Sequence, residues 1–282
     1  MLTYLELTRD DIASLPRENT LLVSLIAPIE VHGVHLPVGT DLFIAEGIMH
    51  RVTERLKDWT IVRLPDLLLG AQAIPAPGSI QIRGKLLRGA LIQTGKALAA
   101  LGFRYWMAFD NHGGATHQIA EAEAARRLQK DGLNLMTPFL PIFRGMCKGD
   151  PEIGLPRGED GGADDAHAGT NETSLMLALA PEKVRPGWEK LPRWKPGEKT
   201  PMGNLGRALK QPLLGMAMDW FAAKDNPHYV GCPGEATVEA GEAMIAYHVK
   251  KSLELLQVAK EGKYKPECPY PKIVSALTKV FE

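Results

Sequence analysis

The apolar and polar positions of this chain alternate between patterns typical of strands and patterns typical of helices. Residues 21–29 (LLVSLIAPI) form a continuous apolar run, as expected for a strand that is covered on both faces of a parallel sheet. Shorter apolar runs predict three further strands at residues 60–64, 103–109 and 133–137. Polar or Gly-rich segments follow the runs at 21–29 and 103–109, so these two strands end in candidate loops.

Helical periodicity fills the stretches between the strands. In residues 83–101 the leucines Leu87, Leu91 and Leu98 fall on one face, and Gly102 is expected to end that helix. Thr40 or Asp41 is a candidate cap for the helix after the first strand. The predicted helices span residues 41–56, 83–101, 116–129, 171–179 and 236–259. This alternation of strand and helix predicts an α/β fold with a largely parallel sheet flanked by helices.

The stretch from Arg185 to Gly234 departs from this regularity. It is rich in Pro, Gly, Trp and Lys and has weak periodicity, which indicates a long excursion that covers a site or forms a subunit contact. Its aromatic and imidazole side chains either line a pocket or pack at such a contact; they are Trp188, Trp194, Trp220 and His228.

Composition narrows the classes of function. The chain has 33 basic and 33 acidic residues and no long basic block, so a nucleic-acid partner is not expected. Its three cysteines form no CxxC pair, which argues against a thiolate zinc site or a redox motif. There is no secretory-type N-terminus and no apolar run of membrane-spanning length. We therefore expect a cytoplasmic protein that acts on a small molecule.

Candidate metal ligands follow the first and third predicted strands. Glu30 and His32 come after the first strand, His112 follows the third, and Asp41 begins the intervening helix. Ligands in open α/β sheets bind outside the carboxyl ends of the strands, so these side chains converge if the two strands are neighbours. Such a mixed nitrogen and oxygen set suits Zn²⁺, Mn²⁺ or Fe²⁺, and one carboxylate can bridge two ions. Taken singly, each histidine is equally compatible with a structural or surface role.

Three motifs in this order resemble those of the creatininase (creatinine amidohydrolase) family. Residues 28–41 (PIEVHGVHLPVGTD) match the family pattern E-x-H-G-x-H-L-P-x-x-T-D. Residues 111–114 (NHGG) are similar to N-G-H-G-G-N, and residues 167–174 (HAGTNETS) are similar to H-A-G-x-x-E-T-S. The resemblance implies one three-layer α/β domain over residues 1–282, with an insertion at about 185–234. It also implies two divalent ions and a homo-oligomer, often a hexamer.

The resemblance also implies roles for individual residues. Metal ligands are expected at Glu30, His32, Asp41 and His112, with Asp41 as the bridge. Glu172 is either a further ligand or a carboxylate at a helix start that holds the site together. His167 is expected to transfer a proton during catalysis.

Two departures from the family bear on the substrate. Creatininase has a glutamate ligand two residues after the matching histidine, where this chain has Gly114, and tryptophans before the H-A-G motif, where residues 161–166 have none. The expected reaction is hydrolysis of a small, cyclic amide, in which metal-activated water attacks the carbonyl. The alternatives are C–C hydrolysis of a cyclic polyol diketone in inositol or sugar degradation, and a non-catalytic metal-binding scaffold.

Overall fold

Five parallel strands form the central sheet of this protein. The computed structural model describes residues 1–148, 165–197, 199–208, 212–271 and 274–275. The strands lie in the order β1-β3-β2-β4-β5, and all their pairings are parallel. Their bounds are β1 (Leu2–Thr3), β2 (Thr20–Leu25), β3 (Thr60–Arg63), β4 (Tyr105–Phe109) and β5 (Asn134–Met136). The prediction of a largely parallel α/β sheet is therefore confirmed.

Nine helices belong to the described part of the chain. They are α1 (Arg9–Ser14), α2 (Thr40–Thr53), α3 (Gly84–Ala100), α4 (Ala115–Gln129), α5 (Phe139–Lys148), α6 (Thr170–Leu179), α7 (Pro201–Ala208), α8 (Pro212–Ala222) and α9 (Val238–Lys260). None of them combines the length and apolar content needed to cross a bilayer.

Alternation along β2 explains why helices cover both sides of the sheet. Leu21, Val23 and Leu25 face a core shared with α2, α6 and α9. Leu22 and Ile26 face the opposite core, which is formed with α3 and α4. All six residues of β2 are buried, as the continuous apolar run predicts, so the fold has three layers.

The strand order places a ligand-binding crevice between β2 and β4. The chain leaves β2 towards β3 on one side and leaves β4 towards β5 on the other, so the winding direction reverses between β2 and β4. Leu25 pairs with Phe109 at their carboxyl ends. Ligands bind at such a switch point in doubly wound sheets. The loops after β2 and β4 therefore begin side by side, as predicted.

Several local predictions needed correction. The run at 21–29 is a strand only to Leu25, because Ile26 and Ile29 make isolated bridges to loop residues. Helix α2 was predicted to be capped by Thr40 or Asp41. It is preceded instead by Gly39, which makes no side-chain cap, and the Thr40 hydroxyl donates to the Pro37 carbonyl. The excursion at 185–234 contains α7 and α8, and the Gly- and Asp-rich segment at 149–164 lies outside the described residues.

Candidate metal centre

The loops after β2 and β4 and the first turns of α2 and α6 bring six predicted site residues together. Gly33, with φ of +64°, turns the chain after His32 in a conformation that L residues rarely adopt. The loop then returns to α2, whose second residue is Asp41. Five of the six residues are buried at 8% exposure or less, and Glu172 is partly buried; the six are Glu30, His32, Asp41, His112, His167 and Glu172.

A first ligand group consists of Glu30, Asp41 and His112. The Nδ1 atom of His112 lies 2.9 Å from Glu30 Oε2 and 3.6 Å from Asp41 Oδ2. A second group consists of His32, Asp41 and Glu172, in which His32 Nε2 lies 3.5 Å from Asp41 Oδ1 and 3.6 Å from Glu172 Oε2. Asp41 therefore presents one carboxylate oxygen to each group, the arrangement that a bridging ligand requires.

Backbone carbonyls fix the orientation of the histidines. The Nδ1–H of His32 donates to the Glu30 carbonyl at 2.9 Å, and the Nε2–H of His112 donates to the Ala71 carbonyl at 3.0 Å. The Nε2–H of His167 donates to the Val31 carbonyl at 2.9 Å. A carbonyl only accepts, so in each neutral ring the nitrogen that faces the centre carries a lone pair. Histidine ligands in metal sites are oriented in the same way, by a hydrogen bond from the ring nitrogen that does not bind the metal.

Buried polar atoms at the centre face one another without a donor between them. Glu30 Oε2, His32 Nε2 and both carboxylate oxygens of Asp41 are buried, and no described group forms a hydrogen bond with them. With its Nε2–H turned to Ala71, His112 Nδ1 meets Glu30 Oε2 at 2.9 Å as one acceptor against another. Either a proton on Nδ1 or a cation held by both atoms removes this repulsion, and a divalent ion would also satisfy the other buried oxygens and nitrogens, so the residues fit divalent metal ions.

Electrostatics at the centre favour the same conclusion. Burial alone raises the pKa of Glu30 and Asp41, but the neighbouring histidines lower both pKa values below the ordinary range. Burial dominates at Glu172 and raises its pKa to about 7. Burial lowers the pKa of His32, but the Asp41 and Glu172 carboxylates raise it overall to about 10. Carboxylates buried this deeply need compensating positive charge, which bound cations would provide.

Close packing explains why residue 114 is a glycine. A Cβ atom there would lie 2.4 Å from His112 Nε2 and 3.0 Å from the Ala71 oxygen, so the position leaves no room for a side chain beside the His112 ring. Glu172 instead presents its carboxylate to His32 from the first turn of α6. Its Oε2 also accepts the Ala168 N–H at 2.6 Å, and its Oε1 accepts Asn111 Nδ2 at 3.2 Å. The two roles predicted for Glu172 are thus compatible.

The cleft beside the centre is walled by aromatic side chains. One part is lined by Phe143, Trp220, Phe221 and Tyr270. The Trp220 ring lies against His167 with centroids 5.0 Å apart, and His167 stacks on His32 at 4.2 Å. Of the four side chains singled out in the excursion, Trp220 reaches this cleft. Trp188 and Trp194 pack against the core, and His228 is not among the described lining residues.

A second part of the cleft also borders Glu172. It is lined mainly by apolar side chains, with Asn111, Asn171 and His248 among the polar ones. Both parts share Gly113, Phe143, Ala166, His167 and Glu172. No lysine or arginine is among the described residues that line either part. The two parts therefore meet at His167 and Glu172, and their described lining offers no lysine or arginine to an anionic group.

Sequence reasoning missed a fully buried cluster next to His112. It consists of Asp110, His117 and Glu121, all at 4% exposure or less. His117 Nε2 lies 3.6 Å from an oxygen of each carboxyl group. Burial raises the pKa of Glu121 to about 8 and that of Asp110 well above its ordinary value. The available signal was the spacing of His117 and Glu121, four residues apart on an otherwise Ala-rich helix face.

Comparisons with known proteins agree with this geometry. A sequence model of the creatininase family, described as creatinine amidohydrolase, matches residues 5–256. The mycofactocin precursor peptide peptidase of Mycobacterium tuberculosis is 29% identical over 243 residues, which are 83% of each chain.

Among solved structures, a creatininase designated Mn has a TM-score of 0.66 at 20% identity, covering 92% of this chain and 98% of its own. A mutant creatininase of Zn-Zn type has a TM-score of 0.64 at 19% identity, covering 92% and 97%. At these identities the structural likeness concerns the fold.

Proposed function

Because this chain belongs to the creatininase family of hydrolytic enzymes, we propose that it is a metal-dependent amidohydrolase that cleaves an amide bond in a linear peptide. The observation that carries the proposal is the pair of ligand groups that share Asp41, with Glu30, His112 and Glu172 of these groups lining the adjoining cleft. The ligands of the first ion are Glu30, Asp41 and His112, and those of the second are His32, Asp41 and Glu172. Zn²⁺, Mn²⁺ and Fe²⁺ all suit this donor set.

The residues divide the chemistry between them. When bound, divalent ions supply an activated water at neutral pH and polarise the substrate carbonyl. His167 is positioned for proton transfer, since its Nε2–H is held by Val31 and its Nδ1 lone pair lies 4.0 Å from Glu30 Oε2. The His167 ring contacts the His32 ring and the Trp220 ring, and these two contacts fix its plane. His167 thus accepts a proton at Nδ1 and returns it to the leaving amine.

Two observations support a linear peptide over the cyclic amide expected from the sequence. The relative from M. tuberculosis is a peptide peptidase by name. The cleft also consists of two pockets that share His167 and Glu172, so a linear chain bound in both would contact protein beyond the scissile bond. Its apolar walls favour residues with apolar or aromatic side chains.

A cyclic amide is the second candidate, because the matching family model is described as creatinine amidohydrolase. Turnover of creatinine compared with turnover of linear peptides that contain aromatic residues decides between the two substrates. We expect peptide cleavage, detected as new amine and carboxyl termini by mass spectrometry. Turnover of creatinine without cleavage of any peptide in the panel would establish the cyclic substrate instead.

Metal dependence is tested with variants of two proposed ligands. We expect Glu30→Gln and His32→Ala to lose bound metal and activity together, measured by elemental analysis and peptide hydrolysis. His167→Asn is expected to keep its metal and lose activity, which separates proton transfer from metal binding. His50→Ala, at an exposed histidine on α2, is the matched control for His32→Ala. Full activity in a metal-free Glu30→Gln variant would disprove metal dependence.

A further inference from the structure

The cluster of Asp110, His117 and Glu121 resembles the metal centre at first sight. Its three ligand-type atoms lie within 4.8 Å of one another. His117 Nε2, Asp110 Oδ2 and both Glu121 oxygens are buried without a hydrogen bond to any described group. The 3.6 Å separations from His117 Nε2 also match those between His32 and its carboxylates. Distances alone would therefore assign a third ion.

The partner of the other ring nitrogen distinguishes His117 from the ligand histidines. The backbone N–H of Ala71 donates to His117 Nδ1 at 3.2 Å, whereas His32 and His112 face carbonyl oxygens. A nitrogen that accepts an N–H carries no proton, so the proton of neutral His117 is on Nε2, the atom facing the carboxyl groups. That atom then has no lone pair for a metal ion.

Ala71 links this imidazole to the metal centre. Its N–H donates to His117, and its carbonyl accepts from the Nε2–H of His112 at 3.0 Å. Three residues on, the N–H of Ile74 donates to Glu30 Oε1 at 2.6 Å. The segment 71–74 therefore holds His112 and Glu30, two of the three ligands of the proposed first ion.

We propose that His117 is a positioning residue that anchors the segment 71–74, and through it orients His112 and Glu30, rather than a ligand of a third ion. The Nε2 atom lies 3.6 Å from an oxygen of Asp110 and of Glu121, so these carboxyl groups favour the proton on Nε2, and Nδ1 accepts the Ala71 N–H. Asp110 also accepts the backbone N–H of His112 at 2.9 Å. The inference rests on the metal centre of the proposed function and identifies residues that keep its ligands in position.

Selective loss of one ion is the expected signature. Removal of groups that orient metal ligands costs roughly 10–100-fold in metal affinity. We expect His117→Leu to weaken the first ion by about that factor and to spare the second, whose ligands His32 and Glu172 are oriented by Glu30 O and Ala168 N. His117→Asn is expected to restore affinity, because its amide oxygen can occupy the place of Nδ1.

The experiment titrates zinc-loaded enzyme with a competing chelator and counts the zinc ions released from each class of site. Glu121→Gln tests the carboxyl side of the cluster. Glu123→Gln is its matched control on α4, since that carboxylate pairs with Arg88 at 2.6 Å instead. Thermal unfolding of each variant identifies those that fail to fold, and the ¹⁵N measurement on the wild-type enzyme supplies the test if His117→Leu does so.

The imidazole ¹⁵N shifts of the zinc-loaded enzyme provide a direct measurement, with His117 expected to be protonated at Nε2. Three zinc ions per wild-type chain, or a metal-shifted His117 Nε2, would overturn the inference, as would equal weakening of both ions in His117→Leu. Wild-type enzyme that binds no zinc would instead refute the proposed function, so the two failures are distinguishable.

Discussion

Substitution of Gly114 by alanine tests how closely the metal centre is packed. The backbone at this position has φ of −60° and ψ of 123°, which alanine adopts without strain, so only the added methyl group matters. That group would lie 2.4 Å from His112 Nε2 and 3.0 Å from the Ala71 oxygen. His112 is buried at 4% exposure. To relieve the overlap with the new methyl group, its ring has to move away from Ala71.

The expected cost follows from the bond that is broken. Movement of the ring disrupts the 3.0 Å hydrogen bond from His112 Nε2 to Ala71 and misaligns Nδ1 with respect to Glu30 and Asp41. Loss of such an orienting bond reduces metal affinity roughly 10–100-fold, which corresponds to about 1.4–2.8 kcal/mol. Overpacking of this kind also destabilises a fold by about 1–3 kcal/mol.

Chelator competition on the zinc-loaded enzyme measures the affinity, and urea denaturation measures the stability. Two glycine-to-alanine controls separate the clash from the substitution itself. At Gly113 the new methyl group meets a side-chain atom of Phe143 at 3.1 Å, and at Gly89 it meets nothing within 4 Å. Wild-type affinity for both ions in Gly114→Ala, with unchanged stability, would refute the proposed role of the His112–Ala71 contact.

Three further predictions concern positions outside the ligand set. Trp220→Ala removes the ring that lies 5.0 Å from His167 and is expected to reduce kcat/KM on aromatic peptides about fivefold, from roughly 1 kcal/mol of ring contact. Trp220→Phe should retain most of the activity. Thr237→Ala removes the cap that accepts the Ala240 N–H at 3.1 Å, so urea denaturation should show a loss of about 1 kcal/mol. Burial lowers the pKa of His248 from 6.5 to about 4. The unfolded chain therefore binds more protons between these values, and stability, complete above pH 6.5, falls towards pH 4 by at most about 3 kcal/mol. Unfolding of His248→Leu should show a smaller loss between pH 7.5 and 4.5, and equal losses would contradict the reasoning.

The sequence predicted the parts of the site that depend on strand ends. Glu30, His32 and His112 converge because β2 and β4 are neighbours whose carboxyl ends share an edge of the sheet. Burial of β2 on both faces was readable from its continuous apolar run. The helix ends differ from the prediction by at most three residues, since caps and fraying are poorly encoded in periodicity.

Other features depend on contacts between distant segments and have no local signature. Trp220 belongs to α8, within the stretch of weak periodicity, and reaches His167 only through tertiary packing. The sequence left open whether Glu172 is a metal ligand or a carboxylate that holds the site together, because a carboxylate at a helix start suits both roles. Only its distance from His32 shows that its position is compatible with both. The short helices α1 and α5 were also missed, since one to three turns leave little periodicity to recognise.

The histidines around the centre show why ligand spacing alone is insufficient to assign metal sites. His32, His112 and His117 are all buried and each lies within 3.6 Å of carboxylate oxygens. Their roles separate only through the backbone group at the second ring nitrogen, which is a carbonyl for the first two and an amide for His117. A carbonyl leaves a lone pair directed at the carboxylates, and an amide leaves a proton there. The same residue type is thus suited to bind a cation in one setting and to support a ligand in the other, according to which end of a peptide unit the fold turns towards it.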